Sequence, residues 1–129
     1  MAGEAVGPAV VLEEPLSLWG GLDPATGLII DAHHPQHGVQ VGGSMLVMPS
    51  GRGSSSSSSV LVEAVRRHTN PVALLLFETD EILILGAIVA RALYGVSVPV
   101  ALLGSAGQTS VRSGDVVEII DSHIRIRGR

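Results

Sequence analysis

The chain has 129 residues and a formal net charge of −4; 46% of it is hydrophobic and only 2% aromatic, with no cysteine and no lysine. That length suits a single domain with a core of Val, Leu, Ile and Ala. The lack of a basic cluster or a stacking platform argues against a nucleic-acid partner, and the lack of cysteine excludes disulfides, a thiolate nucleophile or iron–sulfur ligands on this chain.

The N-terminal MAGEAVGPAVVLEE has an early acid and no Lys or Arg, unlike a secretory signal. The most apolar stretch, VALLLFETDEILILGAIVA, is cut by Glu78, Asp80 and Glu81. No uninterrupted run of about 20 apolar residues is left to span a bilayer. A soluble cytoplasmic protein with no membrane partner is expected. All 8 basic residues are Arg, and Asn70 is the only asparagine. Depletion of Asn, Gln and Cys marks proteins from hot environments, and a GC-rich genome explains the Arg bias equally well.

In chain order, Ala9–Glu13 reads as a short strand. Gly20, Gly21, Pro24 and Gly27 then shape a loop. Leu28–Ile30 starts another strand, HHPQHG is a turn, and Val39–Val41 and Met45–Met48 read as short strands around Gly42–Gly43. In VLVEAVRRH, Val60, Leu61, Ala64 and Val65 share one face and Glu63, Arg66 and Arg67 lie elsewhere, which predicts a helix. Val72–Phe77 is a continuous apolar run of the kind found in buried parallel strands. Thr79 is the expected cap of a second helix over about 80–94, with Asp80 and Glu81 in its first turn and Gly95 as its stop. That helix is apolar on most faces and is expected to be well buried. Val98–Leu103 is a third apolar strand, and VVEII and HIRIR form a terminal hairpin. The order strand–helix–strand–helix–strand implies parallel crossovers. The expected fold class is α/β, one compact sandwich or barrel over residues 1–129.

PSGRGSSSSSS raises the functional question. A Gly/Ser linker is the plain reading. A linker joins domains, however, and this segment lies between an apolar strand and an amphipathic helix, where connections are short. Gly51–Ser55 therefore reads as a strand-to-helix loop, with the later serines in the first helical turns. A helix start presents unpaired N–H groups and a positive dipole end, a ready anion site. Gly51 and Gly53 admit close backbone approach, and Arg52 suits a carboxylate or phosphate. The Walker ending GK[ST] is absent.

SLWGGLDPATGLIIDAHHPQHG, PSGRGSSSSSSVLVE and ETDEILILGAIVARALYGVSVPV together resemble the small, swivel-domain subunit of the aconitase X family, over most of the chain. The resemblance implies a swivelling β/β/α barrel-like domain. It implies a hydro-lyase subunit active only with a large subunit, in a heterodimer or higher assembly. That partner would hold an iron–sulfur cluster, 4Fe–4S by expectation, on its cysteines, with none bound by this chain. The swivel domain would close over it and supply a serine base. In aconitases that serine follows a glycine in a G-S-S-R motif; here it falls on Ser54, after Gly53. The motif's arginine falls on Ser56, so its substrate-anchoring role is lost there, and Arg52 is the candidate replacement. Gly53 and Ser55 are implied substrate-binding neighbours, as is Asp23 in GLDPATG, orienting or contacting a small anionic substrate.

A helix terminus is worth about 0.3–1 kcal/mol, at best about 2. At about 1.36 kcal/mol per pKa unit, it shifts a serine by roughly one unit, so the rest must come from a closed, water-excluded site completed by the partner. Two family activities are implied: dehydration of mevalonate 5-phosphate to trans-anhydromevalonate 5-phosphate in an archaeal isoprenoid route, and dehydration of cis-3-hydroxy-L-proline in bacteria. The small-subunit length and the hint of heat adaptation favour the first. A stand-alone, non-enzymatic anion-binding module is the rival.

His33, His34 and His37 have the look of metal ligands. With no cysteine and no carboxylate cluster beyond Asp31, a polar turn near the site mouth or an interface is the simpler reading. Trp19 reads first as a packing anchor beside the GGLDP loop, with contact to partner or substrate as the lesser alternative. Glu78, Asp80 and Glu81 suggest acid–base carboxylates, but capping explains Asp80 and Glu81 more simply.

Overall fold

A computed structural model describes residues 3–51, 55–104, 108, 110–121 and 123–127. Strands β1 (Ala5–Val11), β2 (Met45–Met48), β3 (Ala73–Leu76), β4 (Val100–Leu102), β5 (Val116–Ile120) and β6 (His123–Ile126) form one sheet in the order β4-β3-β2-β1-β5-β6. β1 to β4 pair in parallel, while β1–β5 and β5–β6 pair antiparallel. A kinked turn, α1 (Leu18–Gly21), precedes helices α2 (Ser57–Arg66) and α3 (Glu81–Tyr94).

Every residue of β2 and β3 is buried, because both sheet faces are covered. The two-residue period divides them. Leu46, Met48, Leu74 and Leu76 face a cluster with Leu61, Val65, Leu83 and Ala87 from α2 and α3. Met45, Val47, Ala73 and Leu75 face a second cluster with Val117, Ile119 and Leu103, against which Ile124 and Ile126 pack. Leu103 follows β4 and Ile124 lies in β6, yet these strands are opposite edges of the sheet. Their meeting in one cluster requires the sheet to curl into a half-barrel. The expected α/β barrel-like domain is therefore the fold observed.

The helices follow their spacing. Val60, Leu61, Ala64 and Val65 are buried, and Glu63 turns outward to pair with Arg66 at 2.6 Å. α2 and α3 pack closely at Gly86, where a Cβ would come within 3.0 Å of the Ser58 carbonyl oxygen. α3 ends at Gly95, whose φ of 68° and N–H bond to the Arg91 carbonyl make a left-handed cap.

Three expectations are corrected. The cap of α3 is Asp80, not Thr79: its Oδ1 accepts from the N–H groups of Ile82 (3.0 Å) and Leu83 (3.1 Å), so the helix starts one residue later. Leu28–Ile30 and Val39–Val41 are not strands. They make only isolated bridges, Leu22 to Ile29 and Leu28 to Gln40, because positive-φ turns at Gly27 and Gly38 interrupt them. α3 is not buried all round: Leu85 (54%), Ile88 (50%) and Leu93 (63%) are exposed, since the sheet and α2 cover only one side. Among the described residues, no helix is long and apolar enough to cross a membrane.

Candidate functional site

The parallel strands β2 and β3 each run straight into a helix, so the starts of α2 and α3 share the carboxyl edge of the sheet. That is where open α/β sheets bind ligands. Phe77 N–H donates to the Pro49 carbonyl (3.1 Å), holding the two connections side by side. Gly51 lies against the Asp80 carboxylate, and a Cβ there would collide with Oδ2. The cap of α3 therefore requires glycine at the start of the serine loop. Gly51 also bridges Leu16 in parallel, which brings the segment after β1 to the same edge.

Ser54, Arg52 and Gly53 lie outside the described residues. Ser55 is exposed in the turn that opens α2, and its carbonyl accepts from the Ser58 N–H (3.4 Å) and hydroxyl (2.9 Å). Ser56 is the N-cap but makes no side-chain cap bond. Ser57 is buried, and its Oγ accepts the Trp19 N–H at 3.2 Å. The serine run thus divides by position: Ser57 and Ser58 make structural bonds, and Ser55 stays outward at the helix start.

The loop of residues 16–31 wraps this edge. Trp19 is not a buried anchor. The residue is 60% exposed, and the bond that ties it to α2 comes from its backbone. Gly20 has φ +77° with open space around it. Ile30 N–H donates to the Gly21 carbonyl (2.8 Å), and a Cβ on Gly21 would lie 3.8 Å from that of Asp31. Trp19, Ile30 and Asp31 thus stand on the rim beside the first turn of α2. Sequence reasoning passed over Ile30 and saw Asp31 only as a neighbour of the histidines; the available signal was the Gly20–Gly21 pair, which can fold the chain back on itself.

Asp23 is placed differently. Its Oδ1 accepts from the Ala25 N–H (2.9 Å), its Oδ2 from the Thr26 hydroxyl (3.0 Å), and its carbonyl from the Gly27 N–H (2.7 Å). The loop is anchored where the Thr69 hydroxyl donates to the Pro24 carbonyl (2.6 Å). Thr69 follows the C-terminal end of α2, and a 10-residue helix is about 15 Å long. The carboxylate therefore shapes its own turn towards the far end of α2 from the serines.

The histidine turn is a strut. His34 is buried; its Nδ1 accepts the Gln36 N–H (3.0 Å), which leaves the proton on Nε2 for the Glu14 carbonyl (3.1 Å). Gln36 adds bonds to the Glu13 N–H and the Val11 carbonyl. Both nitrogens of His34 are thus occupied, while His33 and His37 are exposed. With no cysteine in the chain, and no three His, Asp or Glu gathered as a metal site among the described residues, these side chains do not fit an iron–sulfur cluster.

The fold is thus a mixed α/β half-barrel, with a serine-rich helix start at the carboxyl edge of its parallel strands and a Gly-Gly loop across it. The family model of the aconitase X swivel domain matches residues 1–127, and the chain belongs to that family. It is 49% identical over 104 residues to the cis-3-hydroxy-L-proline dehydratase of Pseudomonas aeruginosa, covering 81% of this chain and 18% of that protein. It is 41% identical over 88 residues to the phosphomevalonate dehydratase small subunit of Methanothermobacter thermautotrophicus, covering 68% of this chain and 67% of that one. With the small subunit of that name from Thermococcus kodakarensis the identity is 33% over 123 residues, covering 94% and 92%. The crystal structure of Thermococcus kodakaraensis aconitase X in its holo form matches with a TM-score of 0.85 at 28% identity, over 97% of this chain and 91% of that chain. The chain spans less than a fifth of the length of the cis-3-hydroxy-L-proline dehydratases it resembles.

Proposed function

We propose that this chain is the swivel part of a hydro-lyase that dehydrates a small β-hydroxy carboxylic acid and works only with a larger partner. The observation that carries the reading is the serine-rich start of α2 at the carboxyl edge of the sheet, in a chain of the aconitase X swivel family. Ser54 is the base: as the alkoxide it takes the proton α to the carboxylate while the Cβ–O bond breaks, and the departing hydroxide becomes water on taking up a proton at the partner's side of the site. The helix start favours the alkoxide, and closure against the partner excludes the water that would compete for it. Arg52, Gly53 and Ser55, its neighbours in sequence, are assigned to hold the substrate. Asp23 belongs to the reading as a residue that holds the loop. Any iron–sulfur cluster belongs to the partner, since this chain has no cysteine to hold one.

The substrate we favour is cis-3-hydroxy-L-proline, ahead of mevalonate 5-phosphate. Two observations support this order. Identity is higher to the dehydratase of that name, 49% against 41% and 33%. The described arginines also lie away from the α2 start: Arg66 and Arg67 at the far end of α2, Arg91 in the last turn of α3, and Arg112, Arg125 and Arg127 around the β5–β6 hairpin. A phosphate of about −1.5 to −2 charge calls for such cations, and none of the described arginines lies at the α2 start. The mevalonate 5-phosphate reading draws on the near full-length similarity to the small subunits of phosphomevalonate dehydratase.

The test is anaerobic co-expression with the aconitase X large subunit of the same organism, then assay of both substrates side by side. Ser54→Ala is expected to leave the complex intact and lower kcat about 10²–10⁴-fold, the usual worth of a positioned base. Retained turnover removes Ser54 from the role. A complex inactive on both acids removes both substrates. A chain that binds small anions alone and takes no partner is the binding module instead.

A further inference from the structure

Resting on the reading that this chain works with a larger partner, we infer that the rim formed by Trp19 and Ile30 is the surface that docks onto that partner. Trp19 is the anchor, and the partner presents an apolar pocket ringed by Arg or Lys.

Trp19 is the only tryptophan of the chain, and it is 60% exposed. Its position is nevertheless fixed. The Trp19 N–H is held by the buried Ser57 Oγ at 3.2 Å, and the Trp19 carbonyl accepts from the Ser17 hydroxyl at 3.1 Å. Ile30, 47% exposed, is joined to the same rim through its bond to the Gly21 carbonyl. A large ring held in water by a rigid backbone has little ordering entropy left to lose on binding. Aromatic anchors of that kind dominate interface energetics.

Charge defines what the anchor meets. Three carboxylates, Glu13, Glu14 and Asp31, lie in the segments that flank the rim. Asp31 adjoins Gly21. Glu13 and Glu14 are exposed beside the histidine turn, tied to it by Gln36 and His34. An apolar knob in an acidic field suits an apolar hollow with a cationic rim, and association is then steered electrostatically and weakened by salt. The exposed side of α3, around Leu85 and Ile88, is a second apolar strip, but the carboxylate beside it, Glu63, is already paired with Arg66. The relatives in which this domain is less than a fifth of the chain supply the larger body that such a rim would face.

The experiment labels this chain alone with 5-fluorotryptophan, so that one ¹⁹F resonance reports Trp19. The unlabelled large subunit of the same organism is then added, with complex formation followed by size exclusion. The expected result is a shifted resonance that loses its H₂O/D₂O solvent effect. Trp19→Ala is expected to weaken association tenfold or more and Leu85→Ala to leave it unchanged, with circular dichroism confirming that both fold. Rising salt should weaken the wild-type complex. An active complex with an unmoved Trp19 resonance overturns this inference and leaves the dehydratase reading standing. So does a resonance that moves with cis-3-hydroxy-L-proline alone, or with the concentration of this chain alone. Failure to form any complex overturns both.

Discussion

Replacing Asp80 by alanine tests how the two helix starts are held. Asp80 Oδ1 accepts from two N–H groups of α3, at 3.0 and 3.1 Å, and its other oxygen lies against Gly51. Losing an N-cap of this kind costs about 1 kcal/mol, within a range of about 0.5–2. Unfolding entropy near the midpoint is about 2.1 cal/mol/K per residue, or about 0.27 kcal/mol/K for 129 residues. Asp80→Ala should therefore lower Tm by about 4 °C, and by about 7 °C at the upper end. Asparagine caps as well as aspartate, so Asp80→Asn should recover most of the loss, short of the charge–dipole share. Thermal unfolding followed by far-UV circular dichroism measures all three proteins. An Asp80→Ala protein melting within about 1 °C of the wild type, against the several degrees expected from a lost cap, would refute the assignment of this residue as the cap.

Two further predictions concern α2. Ser57→Ala removes the acceptor of the Trp19 N–H, and an unsatisfied, part-buried donor costs about 1–3 kcal/mol, offset by about 0.5 kcal/mol of helix propensity. Hydrogen exchange should speed up at the amides of residues 18–21 while β2 and β3 keep their protection; unchanged exchange at Trp19 rules out the bond. Glu63 is held below the usual carboxylate range by its hydrogen bond to Arg66 and by the charges of Arg66 and Arg67. A lowered folded-state value makes its stabilising share complete above the unfolded value of about 4.3 and lost as pH falls through the folded one. The pair is exposed and screened, so the effect is small. In urea titrations, the stability difference between wild type and Glu63→Gln should shrink in acid and in high salt, and a difference that grows in acid contradicts the sign.

Periodicity made much of the fold legible. The continuous apolar runs of β2 and β3 and the apolar face of α2 were readable because each residue there answers to a local rule. The serine segment was readable as a strand-to-helix loop for the same reason. Residues 28–30 and 39–41 were misread as strands because short apolar pieces between glycines look alike whether or not a neighbouring strand exists to pair with them. The main reading of Trp19, a packing anchor, failed because tryptophan is usually covered, and nothing local says that its backbone would be fixed while the residue stayed exposed. Asp23 sits in the turn its loop sequence suggests, but its distance from the serines depends on Thr69, 46 positions later.

By itself the sequence determined the strands, the helices and the serine-rich helix start, because backbone propensity, capping and hydrophobic period act within a few residues. Only the tertiary structure decided that Gly51 faces Asp80, that Ser57 holds Trp19, that both ring nitrogens of His34 are occupied, and that the edges of the sheet meet around Leu103 and Ile124. Each of these is a contact between segments far apart in the chain, selected by the closing of the whole sheet rather than by any neighbour in sequence.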